Sequence, residues 1–233
     1  MRYFYGFDMT YLLMILPCII ISLICQVRVS SAFSKYSKIG NSRRITGAQA
    51  AEWVLRQNGV TGVRIERVAG KLSDHFDPRS NVIRLSESVY DVASIAAVGV
   101  AAHEAGHAVQ HAQGYFPNKV RSAVLPVANI GSKFGWILIM LGLIFAFKIG
   151  TVLLYIGIIL YSAAVLFTIC TLPVEFNASS RALKTIRETE LLSGEEYKGA
   201  KSVLTAAAMT YVASALTSVM QLLRLLLIAR RRS

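Results

Sequence analysis

The sequence predicts a mainly α-helical protein in which several helices cross a membrane and a small α+β region carries a short sheet. Hydrophobic residues make up 54% of the 233-residue chain and its mean hydropathy is +0.50, too apolar for an ordinary soluble domain. The apolar residues are gathered in long blocks. Between the first two blocks lies a more polar stretch whose patterning switches between the helical and the strand period.

Residues 9–27 form a run of 19 uncharged residues, close to the roughly 20 that span a hydrocarbon core. The run is longer than a secretory h-region and no small-x-small cleavage site follows before Arg28, so it reads as a retained anchor. Residues 46–58 read as a helix opened by Thr46 and stopped by Gly59, expected to bury Trp53 and Leu55. Residues 63–68 alternate as a strand, and after the turn-rich 77–80 the run Asn81, Val82, Ile83, Arg84, Leu85 reads as a second, giving a two-stranded sheet. Residues 92–113 are alanine-rich, lack proline and end at Gly114, which predicts a helix.

A second apolar block, 134–174, is interrupted only by Lys148, with Gly150 suited to a tight turn. It reads as a membrane hairpin: a short span over 134–147 that borrows residues from Ile130 onward, with Lys133 and Lys148 snorkelling, and a second over 149–172. Pro173 is placed to start a further helix. The last block, 202–223, is rich in Ala, Ser and Thr and suits a fourth span or a buried helix equally. The expected segments are an anchor over 1–28, a region over 29–129 bearing the 92–113 helix, the hairpin over 130–172, and 173–233 with the last apolar helix.

Arg28, Lys35, Lys38, Arg43 and Arg44 lie in 28–44 with no acid among them, which puts that segment on the cytoplasmic side and the N-terminus outside. The hairpin then returns residues 173 onward to the cytoplasm, and a fourth span would leave Arg230, Arg231 and Arg232 outside, against the rule. The expectation is a multi-pass protein of the plasma membrane. No nucleic-acid recognition pattern accompanies the net charge of +12, so the basic residues are assigned to topology and contact with the lipid bilayer. Cys18, Cys25 and Cys170 all fall in predicted spans without metal-ligand spacing, and no disulfide is expected.

His103-Glu104-Ala105-Gly106-His107 is the chemical centre of the sequence. Two imidazoles four residues apart share a helix face and can hold one Zn²⁺, with Glu104 beside it as a general base for water attacking a peptide carbonyl. A third ligand is needed. His111 would stand about 12 Å along the helix from His103, too far for one ion. Gln110 and Gln113 occupy the positions where a metzincin has glycine and its third histidine. Glu175 is the better candidate: helical spacing puts Glu175, Ser179 and Ala182 on one face, and the hairpin returns Glu175 to the side of His103. A Glu that merely favours a helix N-terminus is the alternative.

Across nearly its whole length the chain resembles the YugP-type membrane zinc metallopeptidases, on the residues 74–79 (Asp-His-Phe-Asp-Pro-Arg), 83–86, 103–110 and 172–179. It is more distantly similar to HtpX-like and CAAX prenyl endopeptidases, whose zinc sites pair HExxH with a downstream Glu-x-x-Ala-Asp helix; Glu175 and Ala178 match, and Ser179 stands in place of the Asp. The resemblance implies a zincin-like domain holding one zinc ion and cleaving peptides or proteins, with Ser179 left to orient an imidazole. In HExxH peptidases of this broad type an extended substrate pairs with a strand edge beside the zinc helix, and residues 81–85 are the expected strand. His75 and Arg181 are candidates for supporting the oxyanion, against roles as a solvated turn residue and a surface ion-pair partner. A catalytically idle zinc scaffold gains nothing from Glu104, and a zinc transporter would need ionisable residues in its spans, where only Lys148 and a borderline Arg224 occur. An intramembrane protease does not fit a His103 more than 20 residues before the hairpin. Membrane-associated or misfolded proteins are the expected substrates.

Overall fold

The computed structural model describes residues 9–70, 73–145 and 147–231. Residues 1–8 of the expected anchor segment and Arg232 of the terminal basic cluster lie outside them. Among the described residues six helices and three strands follow in the order α1 (Met9–Tyr36), α2 (Gly47–Gln57), β1 (Arg64–Val68), β2 (His75–Asp77), β3 (Val82–Ser86), α3 (Ile95–Ala112), α4 (Phe116–Ile144), α5 (Phe147–Glu188) and α6 (Gly194–Arg230). The chain forms two compact units: one from 1–24, 119–172 and 210–233, the other from 25–118 and 173–209.

The first unit is built from the apolar blocks. α1, α4, α5 and α6 are each long and apolar enough to cross a membrane. The segment left open in the sequence thus forms a fourth helix of this kind. Ile139, Leu154, Ile158, Val165, Leu225 and Ile228 form the buried centre, while large apolar residues such as Leu13, Leu23, Ile144 and Ile159 face outward. Outward apolar side chains on all the helices suit a lipid surround. α4 and α5 touch backbone to backbone: a Cβ on Gly142 would lie 2.5 Å from the Leu154 nitrogen, so only glycine fits there.

Three local expectations are corrected. α4 ends at Ile144 and α5 begins at Phe147, so the break between the two spans precedes Lys148–Gly150, while α4 takes in residues from Ile130 onward as expected and reaches back to Phe116. Gly150 instead lets the first turn of α5 approach the carbonyl of Phe145. Pro173 does not open a helix but lies inside α5.

The second unit is the α+β region. Thr46 caps α2 in a reciprocal box with Gln49, and Leu55 is buried while Trp53 only packs partly against the core. Ser94 Oγ accepts from the Ala97 N–H to open α3, which ends at Gln113 and Gly114 (φ +63°). The sheet has three strands among the described residues, not two, in the order β1-β3-β2. β1 pairs parallel with β3, and β2 pairs antiparallel with it across a turn in which Asp77 accepts from the Arg79 N–H and the Ser80 hydroxyl. β3 therefore runs through the middle of the sheet. Residues Val82, Ile83 and Arg84 are paired on both sides, so the expected substrate strand over Asn81–Leu85 has no open edge there; the outer strands are β1 and β2, and β2 is the one that meets Glu104.

Candidate metal centre

The centre is assembled where the start of the second unit's share of α5 crosses α3. A Cβ on Gly106 would lie 2.6 Å from the Ala178 carbonyl oxygen, so the glycine inside the histidine motif is what lets α5 lie against α3. Ala178 and Ala182, both fully buried, continue the contact. At this separation Glu175, one turn before Ser179, reaches both imidazoles.

Glu175 Oε2 lies 3.4 Å from His103 Nε2 and 3.5 Å from His107 Nε2. Those separations are long for N–H···O hydrogen bonds. They match the edge of a tetrahedron, about 3.3–3.4 Å, drawn by ligands bound at about 2.0–2.1 Å. Ligand atoms from His103, His107 and Glu175 all lie within 4.8 Å of one another, so two nitrogens and one carboxylate oxygen fit a zinc ion with a fourth position open. The Glu175 side chain is 5% exposed, whereas His103 and His107 keep 15% and 13%, leaving the open side toward the imidazoles.

Each imidazole is held through its other nitrogen. His103 Nδ1 lies 3.1 Å from Ser179 Oγ, and His107 Nδ1 lies 3.1 Å from Gln110 Oε1. With Nδ1–H donating to these oxygens, both Nε2 lone pairs point at Glu175 and are available to a cation. Gln110 is itself fixed: fully buried, it donates through Nε2 to the Val174 carbonyl at 2.8 Å and to Asn177 Oδ1 at 3.0 Å. Asn177 also accepts from Arg181 Nε at 2.7 Å. Burial opposes a charge on His107, but the Glu175 carboxylate facing its Nε2 and the nearby Glu104 charge outweigh it and raise its pKa above the ordinary histidine value. The pocket is thus electrostatically prepared for a cation.

Glu104, 8% exposed, accepts a 3.0 Å hydrogen bond from the backbone N–H of Phe76 in β2. That bond fixes one carboxylate oxygen against the outer strand and leaves the other for a water. The remaining candidates stand apart from the cluster. His75 is exposed and its Nδ1 bonds the Ser73 carbonyl at 2.8 Å. Arg181 is held by Asn177 and by Gln113, 2.5 Å away, and stacks over Tyr115. His111 is exposed against the Phe76 ring. Sequence reasoning missed Gln110 as a histidine partner; its place three residues after His107, on the same helix face, was the available signal.

A family described as "Putative neutral zinc metallopeptidase" matches residues 11–230. The chain is 43% identical over 221 residues to the "Putative membrane protease YugP" of Bacillus subtilis (strain 168), covering 94% of this chain and 96% of that protein. No solved structure matches it. A family match over nearly the whole chain, and a relative of this identity across nearly all of both sequences, place the chain in this zinc metallopeptidase family.

Proposed function

We propose that the protein is a multi-pass membrane endopeptidase that hydrolyses peptide bonds with one zinc ion held by His103, His107 and Glu175, and with Glu104 as general base. The observation that carries it is the placement of the Glu175 carboxylate 3.4–3.5 Å from both Nε2 atoms. A zinc ion held there supplies Lewis acidity, lowering the pKa of water and polarising a carbonyl. The chain's residues supply the rest. Glu104 takes a proton from water at its free oxygen and returns it to the departing amine. Ser179 and Gln110 keep the imidazoles in the tautomer that frees Nε2. The substrate's main chain is assigned to the outer edge of β2, beside Glu104, in place of β3.

The site is assigned to the cytoplasmic side of the plasma membrane. Four spans send Arg230, Arg231 and Arg232 to the far side, yet Arg28, Lys35, Lys38, Arg43, Arg44, Lys119 and Arg121 beside the other span ends outnumber them. Membrane-associated or misfolded proteins are the substrate class that a site so placed meets.

Metal content and casein cleavage of the purified full chain, beside Glu104→Gln and Glu175→Ala, test this reading. Glu104→Gln is expected to keep one zinc per chain and lose at least 10²-fold in activity, as befits a lost general base. Glu175→Ala is expected to lose the zinc as well. Zinc retained at full stoichiometry in Glu175→Ala would remove that residue from the ligand set, and full activity in Glu104→Gln would remove the base.

A further inference from the structure

We infer that a pocket of about 360 Å³ on the second unit, lined by Arg43, Arg44, Gln49, Glu52, Trp53 and Arg56, binds a phosphate group. None of the metal-centre residues lines it, and it does not depend on the hydrolytic reading. Its volume lies in the range of small-ligand sites.

The loop over 41–45 is cross-tied by hydrogen bonds. Asn41 is buried and clamps Ile45 twice, donating to its carbonyl and accepting from its N–H, both at 2.8 Å. Ser42 is tied by its N–H and its hydroxyl to the Glu196 carboxylate. Within this frame Arg44 is held at φ +52°, a left-handed conformation that a long side chain rarely adopts. Its guanidinium has no partner among the described residues. Arg43 lies over the Trp53 ring at 5.5 Å and, among the described residues, donates to a neutral acceptor, the Glu190 carbonyl at 3.1 Å. Glu52 balances Arg56 alone, at 3.0 Å. Among the described residues Arg43 and Arg44 have no counter-charge. The loop leads directly into α2, whose first turn carries no acid, and the positive end of the helix dipole adds to the field.

The guanidinium forks of Arg43 and Arg44 would take the oxygens of a phosphate drawn into the pocket, a geometry suited to a tetrahedral oxyanion, with the Trp53 ring beneath Arg43 reporting the change. Arg43 lies on the basic segment that follows the 9–27 apolar run and also carries Arg28, Lys35 and Lys38, so lipid phosphates are candidates as well as free ones.

The test uses the full chain in nanodiscs with Trp136→Phe, which leaves Trp53 as the only tryptophan. Phosphatidylglycerol mixed into phosphatidylcholine is expected to shift Trp53 emission saturably at physiological salt. Arg44→Asn, which keeps a residue at ease with positive φ, and Arg43→Gln should each weaken the response at least fivefold, with casein cleavage unchanged. Inorganic phosphate titrated into phosphatidylcholine discs separates the sources: the same saturable shift assigns the pocket to free phosphate, and no shift assigns it to the lipid headgroup. Native mass spectrometry of co-purified phosphatidylglycerol, wild type against both variants, is the second readout. No emission response to either probe, or an equal response in the two arginine variants, overturns the inference.

Discussion

Both compact units bring two helices into backbone contact at a glycine, in opposite surroundings. At Gly142 the partner is the Leu154 backbone, in a bundle whose outer face is apolar; at Gly106 it is the Ala178 carbonyl, on a helix whose neighbouring turns carry Glu175 and Ser179. In the membrane unit close approach maximises van der Waals contact, which is what drives helix association where lipid is as apolar as the side chains. In the α+β unit the same approach sets the distance between a carboxylate and two imidazoles. One device therefore stabilises in the first place and measures out a site in the second.

Paired substitutions break the comparison most sharply. Gly106→Val is expected to displace α5 from α3, with loss of both bound zinc and casein cleavage, measured by metal analysis and activity. Gly142→Val, the equivalent insult in the bundle, is expected to cost about 1–3 kcal/mol of stability, as overpacking does, with zinc stoichiometry unchanged. Equal zinc loss in both would mean that the two contacts are not distinct in purpose.

Gln110→Leu comes next. It strips His107 Nδ1 of its acceptor and the Val174 carbonyl of its donor, so zinc affinity in competition with a chelator should fall about 10–100-fold. Ser179→Ala removes a single hydroxyl contact and is expected near the lower end, about tenfold, while Ser179→Asp should recover or exceed wild-type affinity. The smallest effect lies outside both contacts. The Ser80 hydroxyl, the Arg84 guanidinium and the Arg79 N–H hold the Asp77 carboxyl well below the usual carboxylate range. A folded-state value below the unfolded one stabilises above about pH 4 and loses that stabilisation as pH falls. Asp77→Asn should therefore lower the melting midpoint at pH 7, and the gap to wild type should close in acid.

How much was legible in the sequence follows from how local each signal is. α2 and α3 could be read because capping residues, a terminal glycine and apolar periodicity all lie within the segments themselves. Glu175 could be read because helical spacing and the return of the hairpin constrain it. β2 could not: three residues are too few to show a period, and without β2 the central strand looked like an edge. Gln110 reads as an ordinary helix polar residue, since its role comes from partners 64 and 67 residues away. Pro173 reads as a helix start, yet α5 runs through it from the membrane unit into the second unit, a continuity that no local signal at 173 shows.

The bond from Phe76 to Glu104 has a consequence for grip. In an antiparallel pair a residue turns its N–H and C=O to the same side, so Phe76 faces both away from β3. Its N–H is already spent on the carboxylate, and a peptide laid along β2 meets there a lone acceptor on a three-residue strip. On the proposed reading, purchase so slight would favour chains that arrive unfolded and leave quickly, and would hand the choice of cutting point to whatever else tethers the substrate.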